Sequence, residues 1–334
     1  MKKTIESRHT TERFSTWILT DGRLGMVNQC LGLTEALKAP TKQIDIALSK
    51  PWAWLPPAIT PKQLYILSKF SDRISPPWPD LIIGTGRKSV ALAIAVKRLS
   101  QGKTFCVQIQ NPGLAIKEFD LVIAPKHDKL SGNNVFSTLG SVNRVNKNTL
   151  NIAKKDFCND LSKLPQPVVT VLLGGNNAVY QMNKKVAIDI ADKLLNISET
   201  YEYGLAITTS PRTPTDIVEI INEKLKEKLV NNKAIFWKGD GRNPYLGYLA
   251  HADFIIATSD SVNMISEAAA TGKPVYTIEL DGGSKKFTRF HKAMNEAKIT
   301  RPFTDIIEHW SYQIPNDTIK AASEIKLRTN IKNV

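Results

Sequence analysis

Asp253-Phe-Ile-Ile-Ala-Thr-Ser-Asp-Ser-Val-Asn-Met-Ile-Ser-Glu-Ala-Ala-Ala-Thr-Gly-Lys-Pro-Val-Tyr-Thr-Ile-Glu279 is the stretch that decides the fold. Phe254 to Ala257 is a short apolar run, as in a strand buried on both faces. Thr258, Ser259, Asp260 and Ser261 favour turns and helix N-caps. Val262 to Thr271 then reads as a helix, with Val262, Ile265 and Ala269 on one face. Gly272 can close it, and Pro274 cannot continue it. Val275 to Ile278 is the next strand, which completes a βαβ unit. Its polar turn follows the carboxyl end of a parallel strand, where open α/β sheets bind ligands. The helix start favours an anion. Glu267, six residues past Ser261, lies about 9 Å further along the axis. A diphosphate at the helix start would put a ribose near that carboxylate. The spacing fits equally well a Ser261 that only caps and a Glu267 on the solvated surface.

The same unit recurs on both sides. Ser15 to Thr20, Asp80 to Ile83, Val168 to Leu173, Tyr203 to Thr208 and Ala234 to Trp237 read as strands. Polar or glycine-bearing turns follow them: Asp21-Gly22-Arg23-Leu24-Gly25, Gly84-Thr85-Gly86-Arg87-Lys88-Ser89, Gly174-Gly175-Asn176-Asn177, Thr209 to Pro214, and Lys238 to Tyr245. Helices are expected over Met26 to Leu37 and Val90 to Leu99, and strands over Ile44 to Leu48 and Asp120 to Ala124. Leu164-Pro165-Gln166-Pro167 reads as the joint between two α/β series. The fold class is therefore α/β with two domains, residues 1–164 and 165–334. His127 and Asp128 follow a strand and suit either proton transfer or a loop hydrogen bond.

The chain of 334 residues carries a formal net charge of +14. Residues 1–150 hold 21 Lys and Arg against 10 Asp and Glu, or +11; the remainder hold 24 against 21, or +3. A basic first half attracts an acidic partner. No nucleic-acid module is present in the sequence, so no nucleic acid is expected. Cys30, Cys106 and Cys158 form no CxxC, which fits a reducing compartment and no zinc site. No apolar run reaches the roughly 18 residues of a membrane span, and the N-terminus shows no signal-peptide core. Trp52 and Trp54 lie among Pro51, Pro56 and Pro57, ahead of an expected amphipathic helix over Leu64 to Phe70. Tryptophans beside lysines suit a membrane interface; a loop folded back on the core is the plainer reading.

Several of these pieces together resemble the elongated-mitochondria, or mitochondrial fission, family, whose bacterial members are described as glycosyltransferases. They are Asp21-Gly22, Gly25, Asn28-Gln29, Gly32-Leu33 and Glu35-Ala36-Leu37; Pro77-Trp78-Pro79-Asp80 through Gly84 and Gly86-Arg87; Pro125, His127-Asp128; Thr209-Ser210 and Arg212-Thr213-Pro214; Asn243-Pro244-Tyr245; and Thr258, Asp260-Ser261, Met264, Ser266-Glu267-Ala268 and Gly272 to Val275. The resemblance covers roughly residues 15 to 310. It implies a GT-B-like architecture, two Rossmann-type domains with parallel sheets facing a cleft, the first for acceptor and the second for nucleotide-sugar donor. The donor residues would be Gly174, Gly175, Arg212, Asn243, Ser259, Asp260, Ser261 and Glu267. The acceptor side would hold Gly22, Gly25, Gly84, Gly86 and Arg87.

Two departures stand out. Family members commonly have His where this chain has Met26, and paired arginines where it has Pro211-Arg212. A thioether cannot abstract a proton, so Asp21, His127 and Asp128 are the catalytic candidates, with Asp21 preferred. The expected activity is an inverting, metal-independent glycosyl transfer from a nucleotide-diphosphate sugar, with no further cofactor. The expected acceptor is an anionic lipid-linked glycan, such as a lipopolysaccharide core. The protein would then be cytoplasmic, peripheral on the inner face of a membrane. The alternatives are a non-catalytic membrane scaffold and a nucleotide-sugar epimerase.

Overall fold

The structure, a computed structural model, describes residues 14–304 and 306–329. Its strands are β1 Thr16–Thr20, β2 Thr41–Asp45, β3 Leu81–Thr85, β4 Phe105–Ile109, β5 Leu121–Pro125, β6 Val135–Thr138, β7 Val168–Leu173, β8 Tyr180–Gln181, β9 Gly204–Thr209, β10 Ala234–Trp237, β11 Phe254–Thr258, β12 Val275–Ile278, β13 Asp281–Gly282 and β14 Thr300–Pro302. Its α-helices are α1 Leu24–Leu37, α2 Ser89–Leu99, α3 Lys147–Asp156, α4 Cys158–Leu161, α5 Lys184–Thr200, α6 Thr215–Lys224, α7 Lys226–Val230, α8 Tyr245–His251, α9 Val262–Ala269, α10 Lys285–Glu296 and α11 Asp317–Thr329.

The strands form two six-stranded sheets, in the orders β2-β1-β3-β4-β5-β6 and β10-β9-β7-β11-β12-β14. In the first, β1 pairs in parallel with β2 and β3, β3 with β4, and β4 with β5. In the second, each of the five pairings is parallel. Strand order reverses between β1 and β3 in the first sheet and between β7 and β11 in the second. Those are the two topological switch points, and the carboxyl ends of the flanking strands are where ligands bind in such sheets. The described residues group into two compact units, one of residues 14–123 with 322–329 and one of residues 124–321. The expected joint at Leu164 to Pro167 lies between the last strand of the first sheet and the first strand of the second.

Alternation along the buried strands places the second core. Val169 and Val171 of β7 and Phe254 and Ile256 of β11 face one way, packed with Ile190 and Leu194 of α5 and Ile217 and Ile221 of α6. Leu172, Ile255 and Ala257 face the other way, with Leu249 of α8, Ile265 and Ala268 of α9, and Phe290 and Met294 of α10. Both faces of these strands are covered, which is why they read as unbroken apolar runs.

Two expected elements differ. The second strand is Thr41–Asp45 rather than Ile44 to Leu48. Pairing with β1 sets its register, Thr16 opposite Thr41 and Thr20 opposite Asp45, and Leu48 bridges Leu67 instead. The helix expected over Leu64 to Phe70 is only a 3-10 turn, Leu64–Ile66. Its backbone is committed elsewhere: the Ser49 amide donates to the Ile66 carbonyl at 2.8 Å, and the Ser68 amide to the Ala47 carbonyl at 2.9 Å.

Candidate functional site

The second unit's switch point is built around one carboxylate. Asp260, at the end of β11, has a side chain with no exposed surface. Its Oδ1 accepts from the Thr258 hydroxyl at 2.6 Å, and its Oδ2 from the Gly175 amide at 3.1 Å. Arg212 Nη2 stands 2.7 Å from the same Oδ2, with the arginine side chain 37% exposed. The Thr258 hydroxyl in turn accepts from the Gly174 amide at 2.8 Å. Three strand ends, β7, β9 and β11, are thus tied to a single buried charge. A β-carbon at Gly174 would strike the Asp260 carboxylate, and one at Gly175 would strike the Arg212 carbonyl. The glycines are required first for these approaches within the protein.

Ser261 caps α9, its Oγ accepting from the Met264 amide at 3.3 Å, so the first amides of α9 open beside Arg212's partner. Ser259 is buried. Its Oγ accepts from the Leu280 amide at 3.1 Å, and its carbonyl meets His291 Nε2 at 2.9 Å. Glu267, one turn and a half into α9, is buried rather than solvated. Its Oε2 accepts from the Tyr245 hydroxyl at 2.7 Å. Burial pushes the Glu267 carboxyl up to about 7, against the lowering effect of that hydrogen bond. Asn243 sits at the start of α8, its Oδ1 accepting from the Tyr245 amide at 2.9 Å. Arg212, Asp260, Ser259, Ser261, Gly174 and Gly175 therefore converge, and Asn243 and Glu267 meet through Tyr245.

Sequence reasoning missed Tyr245 as the partner of Glu267 and His291 as the partner of Ser259. The first had a signal in Asn243-Pro244-Tyr245; the second had none, being one polar residue among many on an amphipathic helix.

In the first unit, Asp21, Gly22, Gly84 and Gly86 end β1 and β3. Asp21 is paired with Arg23 at 2.8 Å and lies 3.8 Å from Lys88. Burial alone would raise its carboxyl, but the Arg23 hydrogen bond and the two cations win and hold it below the usual range. That makes it a poor proton acceptor. Gly22 adopts φ 78° and Gly86 φ 75°. Arg87 Nη2 donates to the Ala53 carbonyl at 3.3 Å. Gly25 lies in the first turn of α1.

His127 and Asp128 follow β5 and pack on α10. His127 is buried, its ring edge-on to Phe290 with centroids 5.3 Å apart. Burial drives its imidazole down to about 4; Asp128 opposes this, while Lys286, Arg289 and His291 add to it. At neutral pH it is uncharged, so its 3.9 Å approach to Asp128 is not an ion pair. Asp128 Oδ1 is paired with Lys286 at 2.6 Å. His127 Nδ1 and Asp128 Oδ2 are buried without a hydrogen-bond partner. Among the described residues no cluster of three or more His, Cys, Asp and Glu is placed to hold a metal, and no helix is long and apolar enough to cross a membrane.

Residues 24–329 match the family described as mitochondrial fission ELM1. The mitochondrial fission protein ELM1 of Arabidopsis thaliana is 32% identical over 274 residues, 74% of this chain and 63% of that protein. This chain therefore spans less than two thirds of that relative's length. The uncharacterized protein RP120 of Rickettsia prowazekii (strain Madrid E) is 28% identical over 359 residues, 94% of this chain and 98% of that one. Among solved structures, the UDP-GlcNAc 2-epimerase of Methanocaldococcus jannaschii, in complex with UDP-GlcNAc and UDP, is similar at TM-score 0.53 and 15% identity. The match covers 94% of this chain and 99% of that one. Medicago truncatula UGT71G1, complexed with UDP-glucose, is similar at TM-score 0.50 and 10% identity, over 97% and 92%. These likenesses bear on the fold, which is GT-B-like: two Rossmann-type domains, each on a parallel sheet.

Proposed function

This chain belongs to the mitochondrial fission ELM1 family, and we propose that it is an inverting glycosyltransferase that binds a nucleotide-diphosphate sugar at the ends of β7, β9 and β11. The observation that carries the reading is Arg212, held on buried Asp260 at a switch point beside the capped start of α9. A guanidinium in a fixed pose and the first amides of a helix suit a diphosphate. The solved proteins of this fold cited above hold UDP, UDP-GlcNAc or UDP-glucose, which supports a uridine donor. Glu267, in its ionised form, would accept from the ribose. The acceptor hydroxyl would attack the anomeric carbon as its bond to the diphosphate breaks, and the diphosphate would leave with the charge that Arg212 and α9 offset. The proton would pass to Asp128, whose Oδ2 is buried without a hydrogen-bond partner; the Asp21 carboxyl is held low by its cations and the His127 imidazole is held down to about 4 by burial.

Arg212→Lys tests this directly. Lysine keeps the charge and loses the planar fork. Affinity for UDP should fall roughly 10- to 100-fold, the worth of about 1.5–3 kcal/mol for a charge-assisted contact. Affinity for uridine should change far less. Equal losses on both, measured by calorimetry, would remove Arg212 from the diphosphate. Incubation with nucleotide sugars separates transfer from its rivals: release of nucleoside diphosphate marks a transferase, sugar isomerisation an epimerase, and binding without either a scaffold. Met26, which cannot take a proton, is what favours the scaffold.

The acceptor would be lipid-borne. Trp54 is 66% exposed and Phe70 82%, each under a lysine: Lys50 lies 5.1 Å from the Trp54 ring and Lys69 5.1 Å from that of Phe70. Trp52 is half-buried, edge-on to Tyr65. Arg87 ties this loop, at Ala53, to the end of β3. Aromatic rings beside lysines fit an anionic interface, at about 1 kcal/mol for each basic residue near the surface. The expected result is co-sedimentation with anionic and not neutral vesicles, weakened by salt. Trp54→Ala with Phe70→Ala should abolish it at physiological salt, and Trp52→Ala should not. Wild type left in the supernatant with anionic vesicles would make a soluble acceptor the better reading.

A further inference from the structure

The ends of β1, β3 and β4 carry a polar assembly that the diphosphate reading leaves unused. Thr85, Gln29 and Gln108 are buried there. Gln110, just past β4, holds φ 71°, a left-handed conformation that a non-glycine residue seldom adopts without local constraint. Met26, in the first turn of α1, reaches into this group. The Thr85 hydroxyl donates to its Sδ at 3.4 Å and Gln110 Nε2 at 3.3 Å. Gln110 Nε2 also approaches Gln29 Oε1 at 3.4 Å. Met26 lies against Gly86: a β-carbon there would be in ordinary contact, 3.7 Å from both Met26 Sδ and Cε.

A thioether is a weak acceptor. Two good donors are therefore aimed at a poor partner, on a side chain with three soft torsions. The group facing the sulphur is uncharged. The ions nearby, Asp21, Arg23 and Lys88, are engaged with one another.

We propose that Met26 is a displaceable plug in a subsite for the hydroxyl groups of an uncharged sugar ring. A ligand hydroxyl takes the place of the sulphur, accepts from Thr85 and Gln110, and turns the thioether aside. The inference deepens the acceptor half of the proposed function and rests on it. It assigns the inner contact of the acceptor to a neutral sugar and leaves any anionic group to the cations outside.

The experiment uses the full chain labelled with 13C at the methionine methyl groups, the signal of Met26 being identified by Met26→Leu. The probes are the methyl glycosides of glucose, galactose and mannose, with inorganic phosphate as the anionic counter-probe. At least one glycoside should move the Met26 methyl signal saturably and leave those of Met182 and Met294, both buried in the second unit, in place; phosphate should not move it. Thr85→Val should weaken that glycoside at least tenfold, and Met26→Leu should bind it at least as tightly as wild type. If Thr85→Val does not fold, Gln110→Ala is read the same way. The proposal is overturned if no glycoside moves the signal, if phosphate does, or if the folded donor variant binds as wild type. UDP titrated separately keeps the two readings apart. UDP binding without a glycoside response defeats this proposal alone, and a glycoside response without UDP binding defeats the donor reading alone.

Discussion

Glu267→Gln should leave stability near that of wild type at pH 4 and raise it by about 3 kcal/mol at pH 8. The carboxyl is buried with one hydrogen bond, from Tyr245, and burial moves it from an ordinary 4.5 to about 7. A carboxyl raised in the folded state favours folding in its protonated form. That contribution is whole below about 4.5 and is lost as pH rises through about 7. At 1.36 kcal/mol for each unit of pKa, the interval corresponds to about 3 kcal/mol. Glutamine has nearly the same shape and does not titrate, so it escapes the loss. On the proposed donor reading the ionised group accepts from the ribose, so the same substitution should weaken UDP binding. Stability and binding then move in opposite directions, as at sites where function holds a strained group in place. Urea unfolding at the two pH values, with calorimetry on UDP, checks both. An equal gain at pH 4 and pH 8 would mean that Glu267 does not titrate in this window. Unchanged UDP affinity would take Glu267 away from the nucleotide.

Gly175→Ala should cost about 2–4 kcal/mol and reduce UDP affinity more than tenfold. The added methyl would collide with the Arg212 carbonyl and stand 2.6 Å from the Thr213 amide nitrogen. Both obstacles are backbone and cannot rotate away, which puts the change among the severe overpacking cases. Any relaxation must pull the β7 turn off the Asp260 carboxylate, to which the Gly175 amide donates, and must move Arg212. Gly22→Ala is the control. Nothing lies within 4 Å of a β-carbon there, so only its φ of 78° resists the change, a cost of about 1 kcal/mol. A Gly175→Ala protein that binds UDP like wild type would show that this turn does not shape the diphosphate site.

The sequence made the framework legible where local signals agreed. Phe254–Thr258, the Ser261 cap and the stop before Gly272 and Pro274 all sit within 21 residues, and the helix between them ends at Ala269, two residues short of the expected Thr271. Glycine turns after strands marked the ends where both sheets reverse. The Leu64 to Phe70 reading failed because helical spacing there is cut by a backbone bridge to Leu48, which no local pattern announces. The role of Asp260 was hidden for a related reason. It looked like one polar residue in a turn, yet it serves three strand ends that are distant in the chain. Glu267 was open between ligand and surface, and only tertiary contact with Tyr245, 22 residues away, shows that it is buried.

The order β10-β9-β7-β11 also dictates when the proposed nucleotide site can appear during folding. β7 meets β9 early, but its other neighbour is β11, which the chain reaches only after laying down β9 and β10. The link between the Val168 amide and the Asp253 carboxylate spans 85 residues, and such distant pairings form slowly because a long loop must close first. Arg212 has no Asp260 to rest on until that last pairing is made. UDP should therefore speed no early step of refolding. Its chief kinetic effect should be to slow unfolding, by holding β7 and β11 together from outside the sheet.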